Sequence, residues 1–294
     1  MFAGTHTALV TPFKEGRLDE AAFRQLIDAQ FAGGVSGVVP CGTTGESPTL
    51  DYDEHERVIQ LAVEHTAGRG IVMAGTGSNS TREAVELTQE AEGNGAHAAL
   101  LVAPYYNKPS QEGLFEHFKA IAQNTSLPIM LYSIPGRCGI AIEVDTVVRL
   151  AEACPNIRAM KEAGGTPERV SQMRAVLPES FEILSGDDSL TLPFMAVGAV
   201  GVVSVASNLI PAAVAEMVKL ALDGQFVAAR EIHARYYPLF SAFLKLATNP
   251  VPIKTALGLT GAIDPELRLP LCAMPEQARA ELAATLRDLG LLDG

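Results

Sequence analysis

Lys161 is the residue of this sequence best placed to do covalent chemistry. It is one of seven lysines and ends a short, mostly apolar run, 156–161, that Gly164 and Gly165 break soon afterwards. A lysine at the end of a buried strand is poorly solvated, which disfavours the ammonium form and lowers its pKa. A neutral amine can form a Schiff base with a carbonyl substrate. The alternative is a lysine that extends from the strand end into water, and this segment alone leaves both open.

Tyr132 is the second candidate, because side-chain alternation places it beside Lys161. In the run 129–133, Met130 and Tyr132 share one face, and in the next run Lys161 shares a face with Ala159. If both faces point inward from adjacent strands, the phenol lies within reach of the amine and can shuttle protons during imine formation. Taken singly, a tyrosine in a strand is more often a packing residue.

Two further segments could bind carboxylates. In the turn 41–46, glycines flank Thr43 and Thr44, so that backbone N–H groups and two hydroxyls could converge on a small anion. Arg137 carries a planar, permanently charged fork that suits a second carboxylate. The alternatives are an ordinary βα turn and a surface salt bridge. The other six lysines lie in helical or loop patterns and favour neither interpretation, among them Lys254 near a Pro-Val-Pro helix start.

Composition argues against several other classes of function. The chain has 22 basic and 34 acidic residues and no cluster of Lys and Arg, so nucleic acid is not expected as a partner. The six histidines are scattered, no metal site is predicted, and an imine mechanism needs neither a metal nor a cofactor. Asp187 and Asp188 are predicted to cap a helix. The four dispersed cysteines and a start without a signal-peptide pattern predict free thiols and a cytoplasmic protein.

The elements that position these residues repeat as an apolar run, a turn and an amphipathic helix. Eight such units predict a (β/α)₈ TIM barrel over residues 1–223, followed by a C-terminal helical domain over 224–294. The uncharged stretch 189–215 is interrupted by Pro and Gly and is interpreted as helix, strand and helix rather than as a membrane span. The predicted strands are Thr5–Val10, Gly37–Pro40, Ile71–Ala74, Ala98–Val102, Ile129–Ser133, Ile157–Lys161, Phe181–Leu184 and Gly201–Val205.

Six segments in this order resemble the dihydrodipicolinate synthase and N-acetylneuraminate lyase superfamily, and the resemblance covers essentially the whole chain. They are Gly42–Glu46, Pro104–Asn107, Leu131–Gly139, Met160–Ala163, Ser185–Asp188 and Gly201–Val205. The resemblance implies a class I aldolase-type lyase without a cofactor. Its substrates would be pyruvate and L-aspartate 4-semialdehyde, which it would condense in lysine and diaminopimelate biosynthesis.

The resemblance also implies a role for individual residues. Lys161 would form the Schiff base with pyruvate. Thr44, Tyr132 and Tyr106 would relay protons, with Tyr106 contributed across a subunit interface. The substrate-binding residues it implies are Thr43, Thr44, Arg137, Gly186 and Val203.

A homotetramer, built as a dimer of dimers, and a possible L-lysine effector site at a subunit interface follow from the same resemblance. Many relatives carry a histidine where Tyr52 stands, so a solvated helix start remains the alternative to an effector site. The effector residues would be Ser47, Pro48, His55, Asn79, Glu83 and Tyr105.

Alternative functions remain at this stage. The same imine could serve an aldolase or lyase acting on N-acetylneuraminate or on 2-keto-3-deoxy sugar acids, or a decarboxylating dehydratase. Arg137 favours aspartate semialdehyde, because the resemblance implies that sugar-acid lyases lack this arginine. A non-catalytic keto-acid binder would require a defective relay, whereas Thr44, Tyr106, Tyr132 and Lys161 are all present.

Overall fold

The chain folds as a closed barrel of eight parallel strands, as seen in a computed structural model that describes residues 1–293. Around the barrel the order is β1-β10-β9-β8-β7-β6-β5-β4, while β2 and β3 form a separate antiparallel pair. The strands are β1 (Gly4–Ala8), β2 (Phe13–Lys14), β3 (Arg17–Leu18), β4 (Gly37–Val39), β5 (Ile71–Gly75), β6 (Ala98–Val102), β7 (Ile129–Ser133), β8 (Ile157–Glu162), β9 (Glu182–Ser185) and β10 (Gly201–Ser204).

Helices follow the barrel strands and cover the outside of the barrel. They are α1 (Glu20–Ala32), α2 (Tyr52–Thr66), α3 (Thr81–Gly93), α4 (Gln111–Ala122), α5 (Pro135–Cys138), α6 (Val144–Ala153), α7 (Pro167–Val176), α8 (Thr191–Ala196), α9 (Pro211–Leu222), α10 (Phe226–Lys245), α11 (Val251–Leu259) and α12 (Glu276–Asp288). In the part of the chain that the structure describes, none of them is long and apolar enough to cross a membrane.

Alternation along the strands separates the apolar side chains into two layers. Outward-facing Leu131 and Met160 pack in the core between barrel and helices. Inward-facing Met130, Tyr132 and Ala159 pack in the barrel interior. Because both faces of the strands are covered, most strand residues are buried, and β6 and β7 are apolar along nearly their whole length.

The sequence prediction of an eight-stranded barrel is confirmed, with strand ends that differ by at most two residues. In the uncharged stretch 189–215, the first predicted helix is a short 3₁₀ turn, Asp188–Leu190, followed by α8. In the C-terminal segment 224–294, predicted to be helical, α10 ends at Lys245, and α11 begins at Val251 with Pro252 in its first turn, where a proline loses no hydrogen bond. Residues 246–250 therefore form a loop between these helices, and Asn249 of this loop lines the cavity described below.

The C-terminal helices share one apolar core with the barrel. Phe240 and Phe243 of α10, Leu257 of α11 and Leu286 of α12 belong to the same buried cluster as Leu131 of β7. Division of the chain at residue 223 stays a prediction.

Candidate active site

Lys161 lies inside the mouth of the barrel, near the C-terminal end of β8. Only 6 % of its side chain is exposed. Burial lowers its pKa from 10.5 to about 7; the positive charge of Arg137 acts in the same direction, and the negative charge of Asp188 opposes both. Near neutral pH a large share of this amine is therefore uncharged and nucleophilic.

Tyr132 lies directly beside Lys161. The two residues are partners in the parallel register of β7 and β8, and Nζ of Lys161 is 4.0 Å from the centre of the Tyr132 ring. Burial raises the pKa of the Tyr132 phenol, whereas Arg137 and a hydrogen bond with Thr43 lower it. The phenol is therefore protonated near neutral pH and can give a proton to a reacting group.

Gly186 provides the space that the Lys161 side chain occupies. A Cβ atom at position 186 would lie 2.8 Å from Cβ of Ala163 and 3.0 Å from Cε of Lys161. Both distances are shorter than ordinary carbon–carbon contacts. The glycine after β9 is thus needed for the position of the amine.

Glu162 fixes the end of β8 on the side opposite to Lys161. Its carboxylate is fully buried, lies 2.8 Å from Nε of Arg169 and accepts a hydrogen bond from the backbone N–H of Gly164 at 2.6 Å. A buried carboxylate that is paired and hydrogen-bonded holds the backbone around it in one arrangement. These contacts therefore fix the end of β8, which carries the Lys161 amine on its other face.

Asp188 corrects one prediction from the sequence. Asp187 caps the following turn, as predicted, by accepting from the N–H of Ser189. Asp188 instead points inward, where its carboxylate accepts from Ser204 Oγ and from the N–H groups of Val205 and Ala206. It is the only buried member of this pair because the short 3₁₀ turn directs it towards β10.

Burial raises the pKa of Asp188 to about 6 although three hydrogen bonds lower it. The carboxylate is thus mostly ionised at neutral pH. Its negative charge raises the pKa of Lys161. A negative charge at this place favours any positively charged form of the lysine nitrogen, which includes a protonated imine.

The turn 42–46 is held by a residue that the sequence interpretation did not select, Asn249 from the loop between α10 and α11. Its Nδ2 donates to Oγ1 of Thr44 at 3.0 Å, and its backbone oxygen accepts from Nη2 of Arg137 at 2.9 Å. Thr44 therefore bonds to Asn249, whereas Thr43 is the threonine beside Tyr132.

These side chains surround one cavity of about 330 Å³ at the C-terminal ends of the strands, where active sites of such barrels lie. Val203 does not line it: this residue packs lower in the barrel interior, and Val205 lines the cavity two residues further on. The lining includes Gly42, Thr43, Thr44, Ser47, Pro48, Tyr105, Tyr132, Arg137, Lys161, Gly186, Asp188, Val205, Phe240, Phe243 and Asn249.

Tyr106 is the one predicted relay residue that lies away from this cavity. Its side chain is 90 % exposed, and its backbone has φ of 74°, a left-handed conformation that is costly for a residue with a Cβ. An exposed aromatic side chain held at a strained position is suited to insertion into a second subunit.

The predicted effector residues lie partly in the cavity: Ser47, Pro48 and Tyr105 line it, whereas His55, Asn79 and Glu83 do not. Nδ2 of Asn79 donates to the backbone oxygen of Tyr105 at 3.1 Å. Glu83 accepts from the hydroxyl of Tyr52 at 3.0 Å and from the hydroxyl of Ser78. His55 is buried, and its Nε2 lies 2.9 Å from the backbone oxygen of Gly75.

Within residues 1–293, no three His, Cys, Asp or Glu side chains are arranged so that they could hold a metal ion. All four cysteines are free; Cys41, Cys138 and Cys154 are buried and Cys272 is exposed. Burial raises the pKa of the Cys138 thiol to about 11, so this thiol is not a nucleophile near neutral pH. Among the residues that line the cavity, Lys161 is the amine whose pKa is lowered to about 7.

The chain is similar to known proteins along nearly its whole length. The model of the dihydrodipicolinate synthetase family matches residues 1–289. The chain is 50 % identical over 291 residues to 4-hydroxy-tetrahydrodipicolinate synthase of Aquifex aeolicus, with 99 % of each chain covered.

Two similar solved structures contain small molecules. Dihydrodipicolinate synthase of Cyanidioschyzon merolae, with lysine bound, is 42 % identical with a TM-score of 0.95, and 99 % of each chain is covered. The chloride-inhibited dihydrodipicolinate synthase of Acinetobacter baumannii, complexed with pyruvate, is 41 % identical with a TM-score of 0.97, over 99 % of this chain and 100 % of that one.

Proposed function

Because the chain belongs to the dihydrodipicolinate synthetase family, we propose that it condenses pyruvate with L-aspartate 4-semialdehyde to 4-hydroxy-tetrahydrodipicolinate through a Schiff base on Lys161. The enzyme is a lyase of lysine and diaminopimelate biosynthesis. The observation that carries the proposal is the buried amine of Lys161, whose pKa is lowered to about 7, inside a cavity at the barrel mouth.

The reaction begins when the neutral amine of Lys161 attacks the keto carbon of pyruvate. The carbinolamine then loses water, which requires a proton for the departing hydroxyl, and the phenol of Tyr132 is the acid beside the amine. Loss of a proton from the methyl group turns the imine into an enamine. The enamine carbon forms the new bond with the aldehyde carbon of the second substrate, and the regenerated imine is released when the amino group of that substrate displaces Lys161.

The proton relay uses Tyr132 together with a threonine hydroxyl. The resemblance assigns this role to Thr44, but the hydrogen bond that lowers the pKa of Tyr132 comes from Thr43. Thr44 is bonded to Asn249 instead. We therefore assign the relay to Thr43 and Tyr132, and the binding of the pyruvate carboxylate to Thr44 and the backbone of the turn.

Tyr106 completes the relay from a neighbouring subunit in this proposal. Its exposure and strained backbone support this role, since a tyrosine that serves only its own subunit has no need to project into solvent. The assembly is a homotetramer, built as a dimer of dimers. Sedimentation of the parent and of Tyr106→Ala, with activity measured on both, tests whether assembly and catalysis are linked.

Arg137 decides which second substrate the cavity accepts. Its guanidinium lines the cavity and is held by the backbone oxygen of Asn249, which leaves further N–H groups free for a carboxylate. The direct test compares turnover of pyruvate plus aspartate semialdehyde with cleavage of N-acetylneuraminate and of 2-keto-3-deoxygluconate. Turnover of the sugar acids alone would contradict the proposed substrate.

L-lysine is proposed as an effector at the cluster around Glu83. Asn79 and the backbone of Tyr105 are fixed to each other there, and Glu83 offers a carboxylate to an ammonium group. Tyr52 already bonds to Glu83, so L-lysine must displace this phenol. Titration of the parent and of Tyr52→His with L-lysine tests the site: it is absent if millimolar L-lysine inhibits neither protein.

The four unpaired cysteines fit a reducing compartment. We therefore place the enzyme in the cytoplasm. Localisation of a fluorescently tagged chain tests this placement.

A further inference from the structure

Lys254 and Glu46 form an ion pair that is closed off from solvent. Nζ of Lys254 lies 2.6 Å from Oε1 of Glu46, and both side chains are 0 % exposed. The same Nζ donates to the backbone oxygen of Thr11 at 2.9 Å and lies 4.4 Å from the centre of the Phe13 ring. The other carboxylate oxygen of Glu46 accepts from the backbone N–H of Arg268 at 3.1 Å. The pair thus has specific partners on both sides.

Stability alone is a poor reason for such a pair. Taking two charges out of water costs free energy that their attraction barely offsets, and apolar residues of similar volume often stabilise a protein equally well. Burial accordingly lowers the pKa of Lys254, against the opposing effect of Glu46. A buried ion pair can, however, fix the segments that it joins in one defined arrangement.

The segment held by Glu46 is the turn that carries Thr43 and Thr44. Glu46 closes this turn: its N–H donates to the backbone oxygen of Thr43 at 3.1 Å, and its own backbone is left-handed, with φ of 55°. One residue earlier, the oxygen of Gly45 accepts from Oγ1 of Thr11 at 2.7 Å. A displacement of Glu46 would therefore move the hydroxyls that face the cavity.

The segment held by Lys254 is α11, which is joined to the same turn at a second point. Asn249, just before this helix, bonds to Thr44. The helix is fully packed around Lys254, with Ile253 0 % and Leu257 1 % exposed. The turn 42–46 is therefore attached to α11 and the residue before it at two points, Glu46 and Thr44.

We propose that Lys254 and Glu46 are positioning residues for the keto-acid substrate, which hold the turn 42–46 so that its hydroxyl and N–H groups meet the substrate carboxylate. The inference rests on the proposed function, because it takes this turn as the carboxylate site. The C-terminal helices are then part of the active site rather than an appendage of the barrel.

The test uses the double variant Glu46→Gln/Lys254→Met, which removes both buried charges at once and keeps the side-chain volumes. Positioning predicts that KM and Kd for pyruvate rise roughly tenfold, because misplacement weakens binding of the carboxylate, while Lys161 is still trapped by borohydride at saturating pyruvate. The kcat falls as well, because the same turn carries the relay hydroxyl of Thr43. A folded double variant with the pyruvate affinity of the parent would overturn the inference.

Thr11→Val provides a second test that does not touch either charge. It removes the hydrogen bond to Gly45 and keeps the shape of a fully buried side chain, and a rise in the pyruvate KM of roughly threefold or more is expected. An unchanged KM in this variant would also overturn the inference. The matched control is Leu150→Ala in α6, which removes a fully buried side chain that does not line the cavity and is expected to lower Tm with the pyruvate KM unchanged.

Failure of this inference and failure of the proposed function give different results. Borohydride trapping of the parent with pyruvate reports on the Schiff base, independently of any variant. If Lys161 of the parent is trapped and the variants bind pyruvate like the parent, only the positioning role is wrong. If the parent is not trapped, the proposed function itself fails.

Discussion

Imine formation should follow the titration of Lys161, and this is the prediction that the structure defines best. Burial lowers the pKa of this amine from 10.5 to about 7. That shift corresponds to about 5 kcal/mol of differential interaction between the charged and neutral forms. At pH 7 about half of the amine is neutral, whereas about one lysine in 3,000 would be neutral with an ordinary pKa.

The same shift gives folding stability a pH dependence of known sign. Between the folded pKa of about 7 and the unfolded value of 10.5, the unfolded chain binds a proton at Lys161 that the folded chain lacks. The contribution of this group to the free energy of unfolding therefore rises as the pH rises from about 7 to 10.5. Below about pH 7 the folded chain carries the full cost of burying the charged ammonium. The variant Lys161→Met should lack this part of the pH dependence in urea unfolding.

The kinetic assay mixes enzyme with pyruvate at each pH, quenches with borohydride at a fixed pH and quantifies the reduced adduct by mass. The initial rate should rise with a midpoint near pH 7 and reach a plateau above about pH 8. A rate that still climbs tenfold per pH unit between about pH 8 and 10 would refute the reasoning, because the amine would then be an ordinary solvated lysine.

Four further substitutions separate the roles of the surrounding residues. Arg137→Ala should raise the KM for aspartate semialdehyde roughly 10- to 100-fold, the value of a charge-assisted hydrogen bond. Lys161 should still be trapped with pyruvate alone, with the midpoint of imine formation at higher pH, because the charge of Arg137 lowers the pKa of Lys161. Thr43→Val should lower kcat roughly 100-fold through loss of proton transfer, whereas Thr44→Val should mainly raise the pyruvate KM; equal effects on kcat would contradict this division. Asp188→Asn should shift the midpoint of imine formation to lower pH, since its carboxylate raises the pKa of Lys161, and an upward shift would show that the charge acts otherwise.

The barrel and the central pair of residues were predictable from the sequence because both depend on local patterns. Eight apolar runs separated by helical periodicity allow few folds other than a closed barrel. Alternation within two short strands was enough to place Tyr132 and Lys161 on one face, and the register of β7 and β8 confirms it.

The remaining parts of the site depend on contacts between segments that are distant in sequence. Asn249 and Lys254 reach the turn 42–46 from 205 and 208 residues away, and no local pattern connects them. Asp187 and Asp188 show a different limit: adjacent carboxylates fit a helix cap equally well, and only the packing of β9 against β10 decides which of them is buried.

Reductive trapping followed by peptide mapping shows whether Lys161 is the residue that bonds covalently to pyruvate. The protein is treated with borohydride in the presence of pyruvate, digested, and the adduct is located by tandem mass spectrometry. The expected result is a single modified lysine at position 161 and none in Lys161→Ala. Modification of the buried Lys254, or an unmodified Lys161 with full activity, would contradict the account.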